Sequence, residues 1–255
     1  MEQRWPTTLW IVRHGQSAGN VARDAADAAG IGRIDIADRD MDVALSPLGE
    51  DQADALGRWL AGLPENERPR TLMTSPYRRA IQTSQRIREA GGMIGKDSKF
   101  CIDERLREKE FGVLDRLTRL GIEAQFPEQA EFRRLLGKFY HRPPGGESWC
   151  DVILRLRSVL DTISLHHGGD RVMIVAHQVV VLCLRYLLES LSEEQILAID
   201  RDADIANCGV TEYVYDPGHG AFGGGLVLRR YNFTTPLEVE GAQVTRAPDA
   251  NVAAR

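Results

Sequence analysis

LWIVRHGQSAGN, from Leu9 to Asn20, runs four apolar residues straight into Arg13, His14 and Gly15. Leu9, Trp10, Ile11 and Val12 in unbroken succession have the pattern of a strand covered on both faces, as in a parallel sheet. The polar residues behind them mark the point where such a strand leaves the core. A histidine beside an arginine at that point calls for a chemical reason.

Outward from this strand the chain alternates. VARDAADAAGIGRIDIADRD (Val21 to Asp40) reads as a helix followed by a loop. Ser46 then offers an N-cap and Pro47 a first helical position for a helix carrying Gln52, Ala53, Leu56, Trp59 and Leu60. TLMTS, residues 71–75, is a short strand ended by Pro76, with a helix from Tyr77 to about Glu89 behind it. A second alternation follows: a helix around Asp151 to His166, the pair Gly168 and Gly169, the strand RVMIVAH (Arg171 to His177), and VVVLCLRYLLE, which is too long for one strand and reads as a helix. Strand, helix, strand, helix predicts an α/β fold of three layers, with a mostly parallel sheet between two layers of helices. The charged, partly helical residues from about 101 to 146 read as a helical insertion capping the sheet. TEYVYD and LVLRRYNF read as late strands. The domain is taken as residues 1–236, and the polar run 237–255 as a flexible C-terminal tail.

A chain of 255 residues with ordinary apolar and charged fractions suits one globular domain, or at most two. Its 32 Lys and Arg against 37 Asp and Glu give a net charge of −5, and the basic residues are scattered, so no footprint for nucleic acid or an anionic membrane stands out. Cys101, Cys150, Cys183 and Cys208 lie far apart, without a C-x-x-C pair or a His/Cys cluster at metal-ligand spacing, and read as reduced, mostly buried thiols. Before Arg13 there is no apolar stretch of signal-peptide length, and the greasiest segment, Met173 to Leu188, is broken by His177, Gln178 and Arg185. A cytoplasmic protein with neither nucleic-acid nor membrane partner is expected, and a homo-oligomer is left open.

In an open α/β sheet, ligands bind beyond the carboxyl ends of the strands. Three strands deliver polar groups there: Arg13 and His14, then Ser75 with Arg78 and Arg79, then His177 with Gln178. Arginines and histidines at one sheet edge make an anion site. Guanidinium grips a phosphoryl group through paired charge-assisted hydrogen bonds, and a neutral imidazole nitrogen can attack phosphorus. Either histidine alone would more simply be structural; two of them at strand ends point to catalysis.

Four segments carry a family resemblance: RHGQSAGN (Arg13 to Asn20), SPYRRAIQTS (Ser75 to Ser84), LREKEFG (Leu106 to Gly112) and VAHQ (Val175 to Gln178). In this order, over Leu9 to roughly Tyr215, the chain resembles the histidine phosphatase (phosphoglycerate mutase-like) superfamily, branch 1. The resemblance implies the phosphoglycerate mutase-like fold, a phosphorylated small-molecule substrate, and a phosphohistidine mechanism with no metal and no cofactor. His14 would be the nucleophile, with Arg13, Arg79 and His177 holding the phosphoryl oxygens. Arg79 is preferred to Arg78 because it directly precedes Ala-x-Gln-Thr. Asn20 and the Gln178 backbone would add hydrogen bonds, with Asn20 equally able to cap a helix. Glu108 is the expected proton donor to the leaving group, with Glu104, Glu110 and Glu147 kept as alternatives.

FPEQAEFRRLLGKFYHRPPGGESWCDVILRL and VAHQVVVLCLRYLL are similar to the bisphosphatase half of fructose-2,6-bisphosphate enzymes and to broad-range phosphatases. No G-x-x-x-x-G-K-[ST] is present, so a stand-alone phosphatase is expected. Tyr140 and Arg142, beside GGES, are candidate contacts to the rest of the substrate. Two departures stand out. SPYRRA lacks the Asp that often follows the Ser, and Val21 to Ala44 is long and acidic enough to shape an entrance of its own. The competing readings are mutase-type phosphoryl transfer and a catalytically inactive phosphate-binding protein; the intact set His14, Glu108, Arg13, Arg79 and His177 favours a phosphatase.

Overall fold

A computed structural model of the chain describes residues 4–93, 98–220 and 224–246. Strand β1 (Thr8–Arg13) sits inside a six-stranded sheet of order β3-β2-β4-β1-β5-β6, where β2 is Thr71–Thr74, β3 Lys99–Ile102, β4 Arg171–Ala176, β5 Val210–Asp216 and β6 Gly225–Phe233. The pairs β1 with β4, β2 with β4 and β2 with β3 are parallel, whereas β5 and β6 close one edge in antiparallel fashion.

The apolar run of β1 is explained by what covers it. Leu9 and Ile11 pack with Val152, Leu156 and Val180, from α6 (Trp149–His166) and α7 (Gln178–Leu188). Trp10 and Val12 face the other way, against Leu56, Leu60 and Ile87 of α2 (Pro47–Ala61) and α3 (Arg78–Glu89). Neither face is left to water, so alternation has no reason to appear in the sequence. Each such fully buried aliphatic side chain contributes about 1.5–3 kcal/mol. The remaining helices are α1 (Ala18–Ala28), α4 (Arg119–Gln125), α5 (Pro127–Tyr140), α8 (Glu193–Asp202) and α9 (Thr235–Val239).

The expected cap of α2 is formed, and α6 carries one of its own. Ser46 accepts from the Gly49 N–H at 3.0 Å with Pro47 opening α2, so one orphan donor is satisfied and the ring's fixed φ suits the first turn. Ser148 and Asp151 cap the start of α6 reciprocally.

Two boundaries differ from expectation. The segment from 101 does not begin as an insertion: Cys101 and Ile102 belong to β3, an edge strand paired with β2, and the cap proper follows Asp103. Its helices α4 and α5 share a small separate core of Leu114, Leu117 and Ile122 with Phe126 and Ala130. The tail reading of 237–255 fails over its first ten residues. Leu237 on α9 is fully buried in the core shared with α2, and the Gln52 side chain donates to the Gln243 carbonyl at 2.8 Å. Residues 247–255 lie outside the described residues. Of the cysteines read as mostly buried, Cys183 and Cys208 are; Cys101 is exposed and Cys150 half-buried, and all four are free thiols.

Candidate active site

The three parallel strands β1, β2 and β4 end side by side, which brings His14, Ser75 and His177 to one edge. His14 and His177 are fully buried with ring centroids 5.1 Å apart, and His177 Nε2 lies 2.8 Å from Ser75 Oγ. Behind these strands α1, α3 and α7 begin at once, with Ser17, Tyr77 and His177 as their N-caps. The positive ends of three helices are therefore gathered at the same edge, which favours an anion there.

His14 Nδ1 lies 2.6 Å from the Gly15 carbonyl, and Nε2 is 3.2 Å from Arg79 Nε. A carbonyl can only accept and a guanidinium can only donate, so the proton sits on Nδ1 and the Nε2 lone pair faces Arg79. The loop that carries His14 is pressed onto α2. A Cβ on Gly15 would fall 2.4 Å from the Gly49 oxygen, and one on Gly49 1.9 Å from the Gln16 oxygen. Glycine is required at both for this backbone approach.

Arg13 is fully buried, and its guanidinium donates to the Ile205 carbonyl. Arg79 is buried while Arg78 is exposed. Arg79 also donates to Asp40, at 2.5 Å to the main-chain oxygen, with its Nη1 3.0 Å from Oδ1 and its Nη2 3.3 Å from Oδ2. Asp40 comes from the long acidic segment Val21 to Ala44. Together with Arg79, Ser17, Arg23, Phe111 and Arg116 it lines a cleft that reaches His14 only through Arg79.

The carboxylates sort by environment. Glu108 is 1% exposed, with Oε1 accepting from the Lys109 N–H at 2.7 Å. Burial pushes the Glu147 carboxyl up, but hydrogen bonds and charge from Arg155, the Glu110 N–H and Arg107 outweigh it and hold it below its ordinary value. An ionised, doubly paired carboxylate is a poor proton donor. Glu104 is exposed. Glu110 accepts from the Tyr77 hydroxyl at 3.0 Å, and the Tyr77 ring stands 5.0 Å from that of His177. Next to Glu108, burial and the nearby Arg133 charge lower the Lys109 amine to about 8; burial, Arg133 and Lys109 lower the His141 imidazole to about 4. Lys109 and Arg133 thus place positive charge near Glu108, whereas His141, at about 4, is neutral near pH 7.

The residues expected to touch the rest of the substrate have partners of their own. Tyr140 is an exposed side chain hydrogen-bonded to Glu193, with its ring against Phe139. Arg142 pairs with Asp151, Nε lying 2.8 Å from Oδ2. Neither is brought to the histidines by any of these contacts. Asn20 Oδ1 accepts from the Ser17 N–H at 2.9 Å in the α1 capping box, and Gln178 Nε2 donates to Asp204 at 3.0 Å. Sequence reasoning missed Asp40, Tyr77 and Lys109. Tyr77 stood inside the SPYRRA motif, and the acidic excess around Asp40 was the one signal for it. Lys109 was hidden in a charge run. Among the described residues, no group of three or more His, Cys, Asp or Glu could hold a metal ion, and no helix is long and apolar enough to cross a membrane.

A family model described as histidine phosphatase superfamily (branch 1) matches residues 9–224. A Schizosaccharomyces pombe protein named "Probable fructose-2,6-bisphosphatase" is 31% identical over 189 residues, which cover 74% of this chain and 40% of that protein. The Homo sapiens protein "6-phosphofructo-2-kinase/fructose-2,6-bisphosphatase 3" is 28% identical over 190 residues, covering 74% and 31%. The chain thus spans less than half the length of these relatives. Among solved structures, a mycobacterial glucosyl-3-phosphoglycerate phosphatase with VO3 is similar at a TM-score of 0.64 and 25% identity, covering 89% of this chain and 99% of that one.

Proposed function

The chain belongs to the histidine phosphatase superfamily, branch 1, and from that premise we propose that it hydrolyses phosphomonoesters through a phosphohistidine on His14. The observation that carries this reading is the His14 ring itself: Nδ1 is tied to a carbonyl, and Nε2 faces the guanidinium that would hold a phosphoryl oxygen. The Nε2 lone pair attacks phosphorus, and the bond to the leaving alcohol breaks. Arg13, Arg79 and His177 stabilise the oxygens in flight, helped by the three helix N-termini. Glu108 gives its proton to the leaving oxygen. As carboxylate it then takes a proton from the water that attacks the phosphohistidine, and inorganic phosphate and free His14 are regenerated.

The relatives' names point to phosphorylated sugars and glycerates as the substrate class. The positive charges of Lys109, beside Glu108, and of Arg133 support a substrate with a second anionic group. Four free thiols suit a reducing compartment such as the cytoplasm, and the net charge of −5 with scattered basic residues speaks for a small-molecule substrate over nucleic acid. The test is phosphate release from a panel of sugar phosphates, phosphoglycerates and nucleotides, with wild type beside His14→Ala. Turnover that survives His14→Ala refutes the reading.

A further inference from the structure

The segment 204–208, between α8 and β5, touches three site residues at once. The Ile205 carbonyl accepts from the Arg13 guanidinium, Asp204 accepts from Gln178, and Asn207 Nδ2 donates to the His14 carbonyl at 3.1 Å. The Cys208 N–H donates to the Arg13 carbonyl at 3.0 Å. To do so, Cys208 adopts a φ of +53°, a backbone state that costs a non-glycine residue energy and that the surroundings must impose.

What imposes it includes the chain's C-terminal part. Asn207 Oδ1 accepts from the Thr245 hydroxyl at 2.8 Å, and the Asn207 N–H donates to the Thr245 carbonyl at 2.9 Å. Thr245 Oγ1 in turn accepts from Gln52 Nε2 at 2.9 Å, and Gln52 Oε1 accepts from the Gln16 N–H at 2.9 Å. The contacts close a ring that runs from the His14 carbonyl through Asn207, Thr245 and Gln52 to the Gln16 N–H. Both amides are fully buried, and each is oriented by a partner able to play one part only: the Gln16 N–H donates and the His14 carbonyl accepts. Such a chain of satisfied hydrogen bonds in a dry interior resists deformation as a unit.

We infer that Thr245, Asn207 and Gln52 are positioning residues of the phosphoryl-transfer site: residues 243–245 form a strap that closes a hydrogen-bonded ring on the two sides of Gly15, directly behind His14, and holds the nucleophile in line. The inference rests on His14 being that nucleophile. In-line attack tolerates little displacement, so loss of the ring lowers turnover while the phosphate-binding groups stay where they are.

Thr245 is the member to change, because Gln52 and Asn207 are fully buried whereas Thr245 is half-buried. Thr245→Val keeps the volume and removes the hydroxyl, while Thr245→Ser keeps the hydroxyl. With an aryl phosphate as substrate, Thr245→Val is expected to lose about tenfold in kcat with KM within about twofold, and Thr245→Ser to restore kcat. Hydrogen exchange at the Gln16 amide, which needs no turnover, is expected to quicken in the valine variant alone. Wild-type kcat in Thr245→Val overturns the inference, whether or not exchange quickens, because the strap is then a structural tie only. A kcat loss that the serine variant shares also overturns it. A wild-type enzyme without turnover is a different failure, one that removes His14 as nucleophile.

Discussion

Nδ1 of His14 lies 2.6 Å from the carbonyl oxygen of Gly15, and this contact decides which imidazole nitrogen can react. With the proton held on Nδ1, only Nε2 has a lone pair to offer. A phosphoenzyme trapped from an aryl phosphate under alkaline quench is therefore expected to carry its phosphate on Nε2 by NMR. His14→Ala is expected to give no adduct and to lose at least about 10³-fold in kcat. Phosphate found on Nδ1 would require the ring to have left the Gly15 carbonyl, and the assignment of the nucleophilic atom would be wrong.

Glu108 and Glu147 sit on neighbouring loops with opposite surroundings. Glu147 is paired with Arg107 at 2.8 Å and Arg155 at 3.0 Å, whereas Glu108 is buried with its carboxyl on a backbone N–H. A proton donor matters most when the leaving group is a poor one. Glu108→Gln is expected to slow alkyl phosphate hydrolysis by about 10²- to 10⁴-fold, with a much smaller loss for nitrophenyl phosphate, whose leaving oxygen needs little protonation. Glu147→Gln is expected to lower the melting temperature with no such dependence on leaving group. Equal losses for both esters in Glu108→Gln would move the acid elsewhere.

Much of this arrangement was legible because burial on both faces leaves a mark in sequence. The apolar runs of β1 and β4 announced inner parallel strands, and the strand ends at His14, Ser75 and His177 followed. Strand β3 left no such mark: Lys99, Cys101 and Ile102 are exposed on an edge four residues long, so neither alternation nor an apolar run appears. The docking of residues 237–246 was hidden for another reason. It depends on a buried Leu237 and on hydrogen bonds with Gln52 and Asn207, none of which composition records. Arg142 shows another tie that composition does not record: it pairs with Asp151 nine residues on, a contact made by the turn into α6.

Asp40 and a phosphoryl group would compete for the same donors. Arg79 presents its guanidinium to both the main-chain oxygen and the carboxylate of Asp40, and the pair is largely buried on the arginine side. An anion must replace the carboxylate to reach Arg79 bidentately, and that exchange weakens its apparent affinity. Asp40→Asn is expected to bind inorganic phosphate about three- to tenfold more tightly by calorimetry, the range for a partly screened ion pair. Asp42→Asn on the same turn, paired with Arg39 at the surface, serves as the control and is expected to bind as wild type does. Weaker binding in Asp40→Asn would make Asp40 a support for Arg79, not its competitor.

Asp170 links the start of β4 to β2 and gives the fold a dependence on acid. Its Oδ2 accepts from the Thr71 hydroxyl at 2.7 Å and lies 3.3 Å from His167 Nδ1, while Oδ1 accepts from the Arg171 N–H at 2.8 Å. Burial pushes the carboxyl up, but these hydrogen bonds outweigh it and bring the group from 3.8 down to about 2. Because the folded value lies below the unfolded one, the unfolded chain binds more protons between about 4 and 2, and stability must fall as pH falls through that window. The contribution is fully present above it and on the order of 2 kcal/mol. Asp170→Asn is expected to unfold at lower urea than wild type at pH 7, with the two midpoints converging as pH drops toward 2. A gap between the midpoints that stays constant from pH 7 to pH 2 would mean that the asparagine disturbs packing at the strand start, and that the ionised carboxylate is not what ties β4 to β2.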